Sequence, residues 1–181
     1  MEERCEYDLI SELPQSVAEI ILTKLPILEA VRTSVLSRRW RYRWSSLTDI
    51  VFDDRSVIKS RIDRTNDFIT KLLFAHNGPV HKFSISTSHL KIGPEIDQWL
   101  LFVSRKDIRD LVIELRKGSW ITMPSCVFSC SKLTRLELSY CQFDIPPNFS
   151  GFPFLKYLKL KYFYTDTDDL DNLISSSPCL E

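Results

Sequence analysis

The chain has 181 residues, of which 44% are hydrophobic and 27% are charged, and its formal net charge at pH 7 is zero. This apolar content is ordinary for a globular protein and sufficient for one large domain or two small ones. The zero net charge removes a general electrostatic case for binding nucleic acid or a membrane surface, and no apolar run approaches the length needed to span a bilayer.

The N-terminus shows no secretion signal, because residues 1–16 contain five acids and no apolar core run. We therefore expect the protein in the cytoplasm, the nucleus or both, with reduced, buried thiols. The cysteines are odd in number and scattered: Cys5, Cys126, Cys130, Cys141 and Cys179. No second cysteine pair or nearby histidine completes a zinc site, so the sequence predicts no metal.

A first amphipathic helix is indicated by an apolar stripe with the spacing of one helical face. Its members are Val17, Ile20, Ile21 and Leu25. Leu22 lies off this stripe beside Ala18, so the helix has two apolar surfaces. Pro26 ends the helix, because the residue before a proline is pushed out of the α region.

Two further short helices follow in the sequence pattern. Leu28, Val31 and Val35 form a second apolar stripe. Ser37 can cap a third helix that carries Trp40 and Trp44 one turn apart. None of the three is long enough to be stable alone in water. The spacing alone allows either a small bundle that buries every apolar side chain internally or a set of helices that docks on a partner.

The stretch from Asp8 to Trp44 resembles the F-box of plant F-box/leucine-rich-repeat proteins. Leu13-Pro14 matches the first Leu-Pro pair and Leu25-Pro26 the second, and the segment ending at Trp40 matches the core A-V-x-T-S-V-L-S-x-R-W. The sequence departs from the family at Gln15, where an acid is usual, and at Leu28, where a base is common.

This resemblance implies a docking device. In that family the Leu-Pro pair and the first helix press into a Skp-type adaptor, and the third helix completes the contact. The implied adaptor-binding residues are Leu13, Pro14, Val17, Ile20, Ile21, Leu22, Leu25, Pro26, Val31, Val35 and Trp40.

Residues 32–46 hold five arginines and no acid, interleaved with aromatic side chains. Such a pattern also occurs in RNA-binding or nuclear-import segments. The competing interpretation is a solvated face whose arginine stems pack on indole rings. We favour the second interpretation and expect no nucleic-acid partner.

Beyond Trp44 a pattern of apolar-x-x-apolar-x-apolar occurs five times. The copies are Leu47/Ile50/Phe52, Val80/Phe83/Ile85, Ile108/Leu111/Ile113, Leu133/Leu136/Leu138 and Leu155/Leu158/Leu160. The fourth continues to Cys141, which completes a leucine-rich-repeat signature; Arg55, Ser88, Arg116 and Phe163 stand at that position in the others. The alternation within each copy predicts a short strand with one buried face.

Helical patterns at 68–75, 96–103 and 168–174 separate or follow these strands, and the proline-containing links 123–130 and 145–153 predict single turns or 3₁₀ pieces. Strands that alternate with helices imply a parallel sheet, curved by stacking of the repeats. The predicted fold class is α/β (α+β overall): a three-helix F-box at 1–46, then a short leucine-rich-repeat solenoid at 47–181.

The ending S-S-P-C-L-E aligns with G-F-P-F-L-K and places Leu180 where Leu155 stands one repeat earlier. We therefore expect the chain to stop at the start of a sixth repeat, as a fragment or a shortened gene product. Proteins of the resembled family often carry a further C-terminal domain of the FBD type, which we expect to be absent.

No catalytic motif is visible. The four glycines form no phosphate-binding loop, and His76, His81 and His89 have no neighbouring nucleophile motif. The acids at 166–171 lack the glycine and closing glutamate of a calcium loop. We predict no catalytic residue and no cofactor; a small-molecule ligand in the repeats stays open.

The predicted binding surface is the set of strand residues that point away from the core. They are Glu114, Arg116, Arg135, Glu137, Ser139, Tyr157, Lys159 and Lys161. We expect Arg135, Glu137, Lys159 and Lys161 to be exposed. The resemblance then implies a non-catalytic substrate-recognition subunit of an SCF-type ubiquitin ligase, which binds a Skp-type adaptor, through it a cullin, and an unknown protein substrate. The alternative is an interaction scaffold that binds the adaptor without ubiquitin transfer; an enzyme or RNA-binding protein comes third.

Overall fold

A computed structural model describes residues 9–56, 64–88 and 90–181, which begin as a short helical region and continue as alternating strands and helices. The helices are α1 (Gln15–Thr23), α2 (Ile27–Arg32), α3 (Thr65–Ala75), α4 (Glu95–Ser104) and α5 (Thr167–Ser175). The strands are β1 (Asp49–Asp53), β2 (Lys82–Ser86), β3 (Asp110–Glu114), β4 (Ile121–Thr122), β5 (Arg135–Gln142) and β6 (Tyr157–Tyr164). The predicted combination of a helical N-terminus and a parallel repeat sheet is confirmed.

The first two helices each begin directly after a proline. Pro14 and Pro26 occupy the positions before α1 and α2, with extended backbone at ψ 149° and 143°. Proline suits a helix start because its fixed φ is already helical and its missing N–H is not needed there. Both predicted helices are therefore present.

The predicted third helix is wrong. Residues 33–35 and 43–46 form 3₁₀ turns, and residues 38–42 form irregular turns. Hydroxyls bond to backbone carbonyls here: Ser34 donates to Arg41 at 2.8 Å and Ser45 to Tyr42 at 2.7 Å. The backbone bonds also close over three residues, from the Trp40 N–H to the Ser37 carbonyl and from the Arg43 N–H to the Trp40 carbonyl, as in a 3₁₀ turn rather than an α-helix.

All strand pairs in the described sheet are parallel. β1, β2, β3 and β5 are neighbours in that order, and β6 pairs with the other edge of β5. The two-residue strand β4, which the sequence did not predict, continues the line of β3 along β5 after a loop at 115–120.

Apolar side chains line up across the strands. One row in strict register runs Ile50, Phe83, Leu111, Leu136 and Leu158. A second runs Phe52, Ile85, Ile113, Leu138 and Leu160. Both rows are buried except at β6, the last strand, where they are half-buried. The five predicted strands and their inward faces are thereby confirmed.

The helices α3 and α4 cover the inward face of the first three strands. Ile69 and Leu73 of α3, with Trp99 and Leu100 of α4, are buried in the same core as the strand rows. The Trp99 indole N–H donates to the Thr70 hydroxyl at 2.9 Å and ties the two helices together. Where the sequence predicts single turns, a 3₁₀ helix spans Ser125–Ser129 and turns occupy 145–154.

The helical region and the sheet share one continuous core. Leu22, Trp40 and Trp44 belong to the same cluster of buried residues as Leu47 and Ile50. The backbone N–H groups of residues 77 and 78 both donate to the Ser45 carbonyl, at 3.0 and 3.1 Å. The boundary at residue 46 stays a prediction, and the packing crosses it.

His76 joins the end of α3 to the start of the sheet. Its ring Nε2 lies 2.8 Å from the Leu47 carbonyl oxygen, so it is the nitrogen that donates. The ring is buried, and its Nδ1 has no hydrogen-bond partner among the described residues. Burial lowers the pKa of His76, the positive charge of Lys106 lowers it further, and the hydrogen bond to Leu47 opposes the shift only in part.

We expect the stability of the protein to fall as the pH drops below about 6.5, the ordinary pKa of histidine. The folded state holds His76 neutral while the unfolded state takes up a proton, so the free energy of unfolding decreases by up to about 1.4 kcal/mol per pH unit. Urea denaturation of the wild type and His76→Gln between pH 7.5 and 5 measures this. The variant should show a flatter pH profile, and parallel profiles would contradict the assignment.

Candidate protein-interaction surfaces

The helix α1 is apolar on two sides, and only one of them faces the core. Ala18 and Leu22 have no exposed surface, whereas Ile20 is 62% exposed. The exposed stripe consists of Val17, Ile20, Ile21 and, just after the helix, Leu25. The sequence predicts both apolar surfaces, and in the structure the longer stripe faces solvent.

More exposed apolar side chains flank this stripe. Val35 is 87% exposed and Leu36 is 51% exposed, and Leu9 and Ile10 are exposed at the other end of the region. An unusual concentration of exposed aliphatic side chains in one short segment marks a surface that a partner covers.

Two residues of the predicted adaptor contact lie in the core instead. Leu22 has no exposed surface and Trp40 is 2% exposed. The Trp40 indole donates to the Ile10 carbonyl at 2.8 Å, and the Arg43 guanidinium lies 5.2 Å above the Trp40 ring. Leu22 and Trp40 therefore support the exposed apolar stripe from the core side. Of the other predicted contacts, Pro14 is exposed, and Leu13, Pro26 and Val31 are half-buried.

The arginine-rich segment is largely engaged within the protein. Arg43 also donates to the Leu13 carbonyl at 3.0 Å. Arg39 pairs with Glu12 at 2.7 Å and Arg32 with Glu29 at 2.5 Å. This arrangement agrees with the solvated, indole-packed interpretation of the cluster rather than with a nucleic-acid site.

The face of the sheet opposite the buried rows carries polar side chains in register. The row nearest the strand starts runs Asp49, Lys82, Asp110, Arg135 and Tyr157. Its charges alternate in sign, and the Arg135 guanidinium lies 4.5 Å from the centre of the Tyr157 ring. Opposite charges on adjacent strands stabilise a sheet, and Arg135 of this row forms its ion pair with Glu137, two residues further along its own strand.

Glu137 is the centre of a charge network on this face. Its carboxylate accepts from Lys159 Nζ at 2.6 Å, from Arg135 Nε at 2.7 Å and also from Arg135 Nη2. Lys159 reaches Glu114 as well, at 3.2 Å. Glu137 is only 4% exposed, because it lies between Val112 and Lys159 of the neighbouring strands.

The electrostatics of Glu137 follow from these contacts. Burial by itself raises the pKa of the carboxyl, but the hydrogen bonds from Lys159 and Arg135 outweigh it, so the pKa of Glu137 lies below its usual range. The bonds to Glu137 likewise raise the pKa of Arg135 and of Lys159. All three groups are therefore charged at neutral pH.

The expectation of exposure is wrong for Glu137 and is met only in part by Lys159. Glu137 and Ser139 are buried, while Glu114 and Lys159 are half-buried. The remaining predicted members are exposed: Arg116, Arg135, Tyr157 and Lys161. Alternation along a strand predicts the correct face, but burial depends on the side chains of both neighbouring strands.

We expect charge reversal on this face to have unequal effects on stability. Glu137→Lys places a third cation beside Arg135 and Lys159 in a buried position and should lower the free energy of unfolding by about 2 kcal/mol or more. Lys161→Glu, at an exposed position on the next strand, should change it by no more than about 0.5 kcal/mol. Urea denaturation compares the two variants, and equal small effects would show that the network contributes little.

The same network sets a pH dependence. Because the folded state depresses the pKa of Glu137, its stabilisation is complete above about pH 4.5, the ordinary value, and is lost as the pH falls through the depressed one. A Glu137→Gln variant should therefore lose stability mainly at neutral pH and differ less from the wild type in acid.

The longer strands contain a feature that the repeat pattern did not reveal. Tyr140 and Tyr162 have left-handed backbone, with φ of 55° and 49°. Ser139 pairs with Lys161 and Cys141 with Phe163, so each tyrosine is an inserted residue at the same place in its strand. The insertion explains why two residues separate the inward Leu138 from the inward Cys141.

The third repeat differs from this pattern by a loop. Ile121 of β4, not Arg116, stands in register with Cys141. Residues 115–120 thus replace the single Tyr140, and Trp120 at the end of the loop contacts the Tyr140 ring. The sequence pattern placed Arg116 at the position of Cys141, and this is wrong because the loop moves the matching residue to Ile121.

The cysteines behave as mostly apolar side chains. Burial raises the pKa of Cys130 to about 12 and that of Cys141 to about 11, so both are protonated thiols. Cys126 is half-buried, and Cys179 is exposed, against the expectation of burial. Cys5 and His89 lie outside the described residues.

The described part of the chain holds no group of three or more His, Cys, Asp or Glu side chains arranged around a common point for a metal ion. None of its helices combines the length and the apolar character needed to cross a bilayer. A groove of about 500 Å³ lies between α3 and α4, beside the 81% exposed ring of Phe74.

Comparison with known proteins identifies two families along the chain. Residues 10–51 match the F-box domain, and residues 96–181 match the family described as "FBD-associated F-box protein At5g56370, LRR repeats". The first match covers the exposed apolar stripe, and the second covers the sheet from α4 onward.

Two relatives from Arabidopsis thaliana extend the comparison. The chain is 50% identical over 182 residues to "F-box/FBD/LRR-repeat protein At1g13570", and this match covers 96% of the chain and 43% of the relative. It is 34% identical over 192 residues to "F-box/LRR-repeat protein At4g14103", covering 96% of the chain and 48% of the relative. The chain thus spans less than half the length of these relatives. No solved structure matches. Together with the helical region and the repeat sheet, these matches show that the chain belongs to the F-box/leucine-rich-repeat family.

Proposed function

We propose that the protein is the substrate-recognition subunit of an SCF-type ubiquitin ligase. Its F-box docks on a Skp-type adaptor, which connects it to a cullin, and the polar face of its repeats captures a protein substrate. The observation that carries this proposal is the exposed stripe of Val17, Ile20 and Ile21 on a helix whose opposite side is fixed in the core. We expect the complex in the cytoplasm, the nucleus or both.

The energetics of the stripe support a partner. Complete burial of one aliphatic side chain contributes roughly 1.5–3 kcal/mol, and each of these side chains retains part of that surface. The core contacts of Ala18 and Leu22 hold the helix in place, so docking does not have to order it. A preformed apolar helix face is suited to a groove on a partner protein.

The proposed role is non-catalytic. Neither family match is to an enzyme, and the polar residues with depressed or raised pKa values in the described part of the chain belong to ion pairs or to buried single groups. The contribution of the chain would be to hold two proteins close together, and the ubiquitin transfer would belong to its partners.

A scaffold without ubiquitin transfer is a second candidate, and one observation favours it. The charges at the centre of the sheet face are paired with one another, as Glu137 is with Arg135 and Lys159. A face that satisfies its own charges offers fewer of them to a substrate, since each new contact must replace an existing one.

We expect Ile20→Glu to weaken adaptor binding strongly while the protein stays folded. Ile20 is 62% exposed, so the free energy of unfolding should change by about 0.5 kcal/mol or less. A charge buried in the centre of an interface should weaken the affinity for a purified Skp-type adaptor by about 30-fold or more, the equivalent of about 2 kcal/mol. Isothermal titration calorimetry measures the affinity.

Phe74→Glu is the matched control, because it makes the same kind of change at an exposed apolar residue of α3, outside the F-box. It should bind the adaptor like the wild type. Unchanged adaptor affinity of Ile20→Glu would contradict docking through α1. Purification from cells then separates the two functions: adaptor together with cullin supports the ligase subunit, and adaptor alone supports the scaffold.

A further inference from the structure

Three aromatic rings form a continuous row across the last three repeats. Tyr140 and Tyr162 stack with ring centroids 4.6 Å apart and an angle of 13° between their planes. Trp120 meets Tyr140 edge-on, with centroids 6.1 Å apart. Tyr162 is 65% exposed and Trp120 is 51% exposed. We call Trp120, Tyr140 and Tyr162 the aromatic row.

Two members of the row share an unusual backbone conformation. Tyr140 and Tyr162 both adopt left-handed φ, which is costly for a bulky aromatic residue. Asn or Gly would adopt this conformation more easily. The strained conformation recurs at the same register position of two successive strands and accompanies the stacking of the two rings, of which Tyr140 also packs against the core and Tyr162 is mostly exposed.

Exposed cations lie beside the row. Lys161 directly precedes Tyr162 and stands in register with Ser139. Arg116 and Lys117 lie in the loop that ends at Trp120, and the Ser119 N–H donates to the Arg116 carbonyl at 3.1 Å, which closes a turn before Trp120. The Arg116 guanidinium donates to the Ser88 carbonyl at 3.3 Å, and in the described part of the chain none of these three cations takes part in an ion pair.

This combination favours a negatively charged ligand. The stack covers one face of each tyrosine ring, and the ring edges and hydroxyls lie outside the stack. The edge of an aromatic ring carries partial positive charge, and a tyrosine hydroxyl donates hydrogen bonds. The three cations without an ion-pair partner add positive charge to the same surface.

We propose that the aromatic row and its cations bind an extended acidic segment of the protein substrate, rich in Asp and Glu. This inference rests on the proposed role of the chain as a substrate receptor and names the chemistry of what it captures. The aromatic rings supply apolar contact for the segment between its carboxylates, and the cations pair with the carboxylates.

A protein segment fits better than a nucleic acid. A nucleic acid carries one phosphate on every residue, so it brings charge at short, regular intervals. Just below the row the sheet face holds charges of both signs, with Glu114 and Glu137 paired to Arg135 and Lys159, and this mixed pattern does not match the uniform charge of a polyanion. A peptide can place its acids only beside Lys161, Arg116 and Lys117.

The experiment selects ligands on the purified full chain without its adaptor. A displayed library of random 12-residue peptides is the probe, and a fluorescein-labelled copy of the most enriched peptide is then titrated by fluorescence anisotropy. We expect enrichment of Asp and Glu, and weaker binding at high salt because the contacts are charged. A 12-residue uridine RNA is titrated in parallel.

Tyr162→Asn is the central variant, because Asn keeps the left-handed backbone while the ring is removed. It should keep the thermal unfolding temperature of the wild type or raise it, and weaken the selected peptide about tenfold or more. Lys161→Glu should weaken binding similarly. Tyr42→Asn is the matched control: this tyrosine is 64% exposed but belongs to the F-box, so the variant should bind normally.

Each other outcome overturns the proposal. No enrichment, enrichment of peptides without acids, or equal binding by Tyr162→Asn would show that the row is not an acidic-peptide site. Binding of the uridine RNA that depends on Tyr162 would identify a nucleic-acid site instead. Because no adaptor is present in the selection, failure of F-box docking leaves this result unaffected, and the two proposals are tested separately.

Discussion

The structure depends on the in-register burial of one apolar row from β1 to the last strand. Ile50, Phe83, Leu111 and Leu136 occupy the same level of consecutive strands and are almost fully buried. Because side chains alternate along a strand, fixing this row inward fixes the intervening residues on the opposite face. The charge network around Glu137 is therefore a consequence of the same register that builds the core. The F-box extends this core rather than forming a separate one.

The strands and the longer helices could be predicted from sequence because their signals are local. The strand pattern recurs in each repeat, and the apolar spacing of α3 and α4 is that of a helix buried on one side. The prediction of a third F-box helix is wrong because the backbone bonds of this segment, such as the one from the Trp40 N–H to the Ser37 carbonyl, close over three residues. Hydrophobic spacing does not distinguish such turns from a short α-helix.

The candidate surfaces were predictable only in part. The resemblance to an F-box identified the residues of α1, but tertiary packing decides that Leu22 lies in the core and Ile20 in solvent. On the sheet, alternation identified the correct face, whereas the burial of Glu137 requires knowledge of the strands on both sides. Trp120 joins Tyr140 only because a loop in one repeat shifts the register, which no repeat pattern shows.

The central claim is that one core supports two separate surfaces, an apolar one on α1 and a polar one on the sheet. Hydrogen–deuterium exchange of the purified chain with and without a Skp-type adaptor tests it most directly. The account predicts that the adaptor slows exchange in residues 13–36 and leaves β5 and β6 unchanged. Slower exchange across β5 and β6, or none in α1, would contradict it.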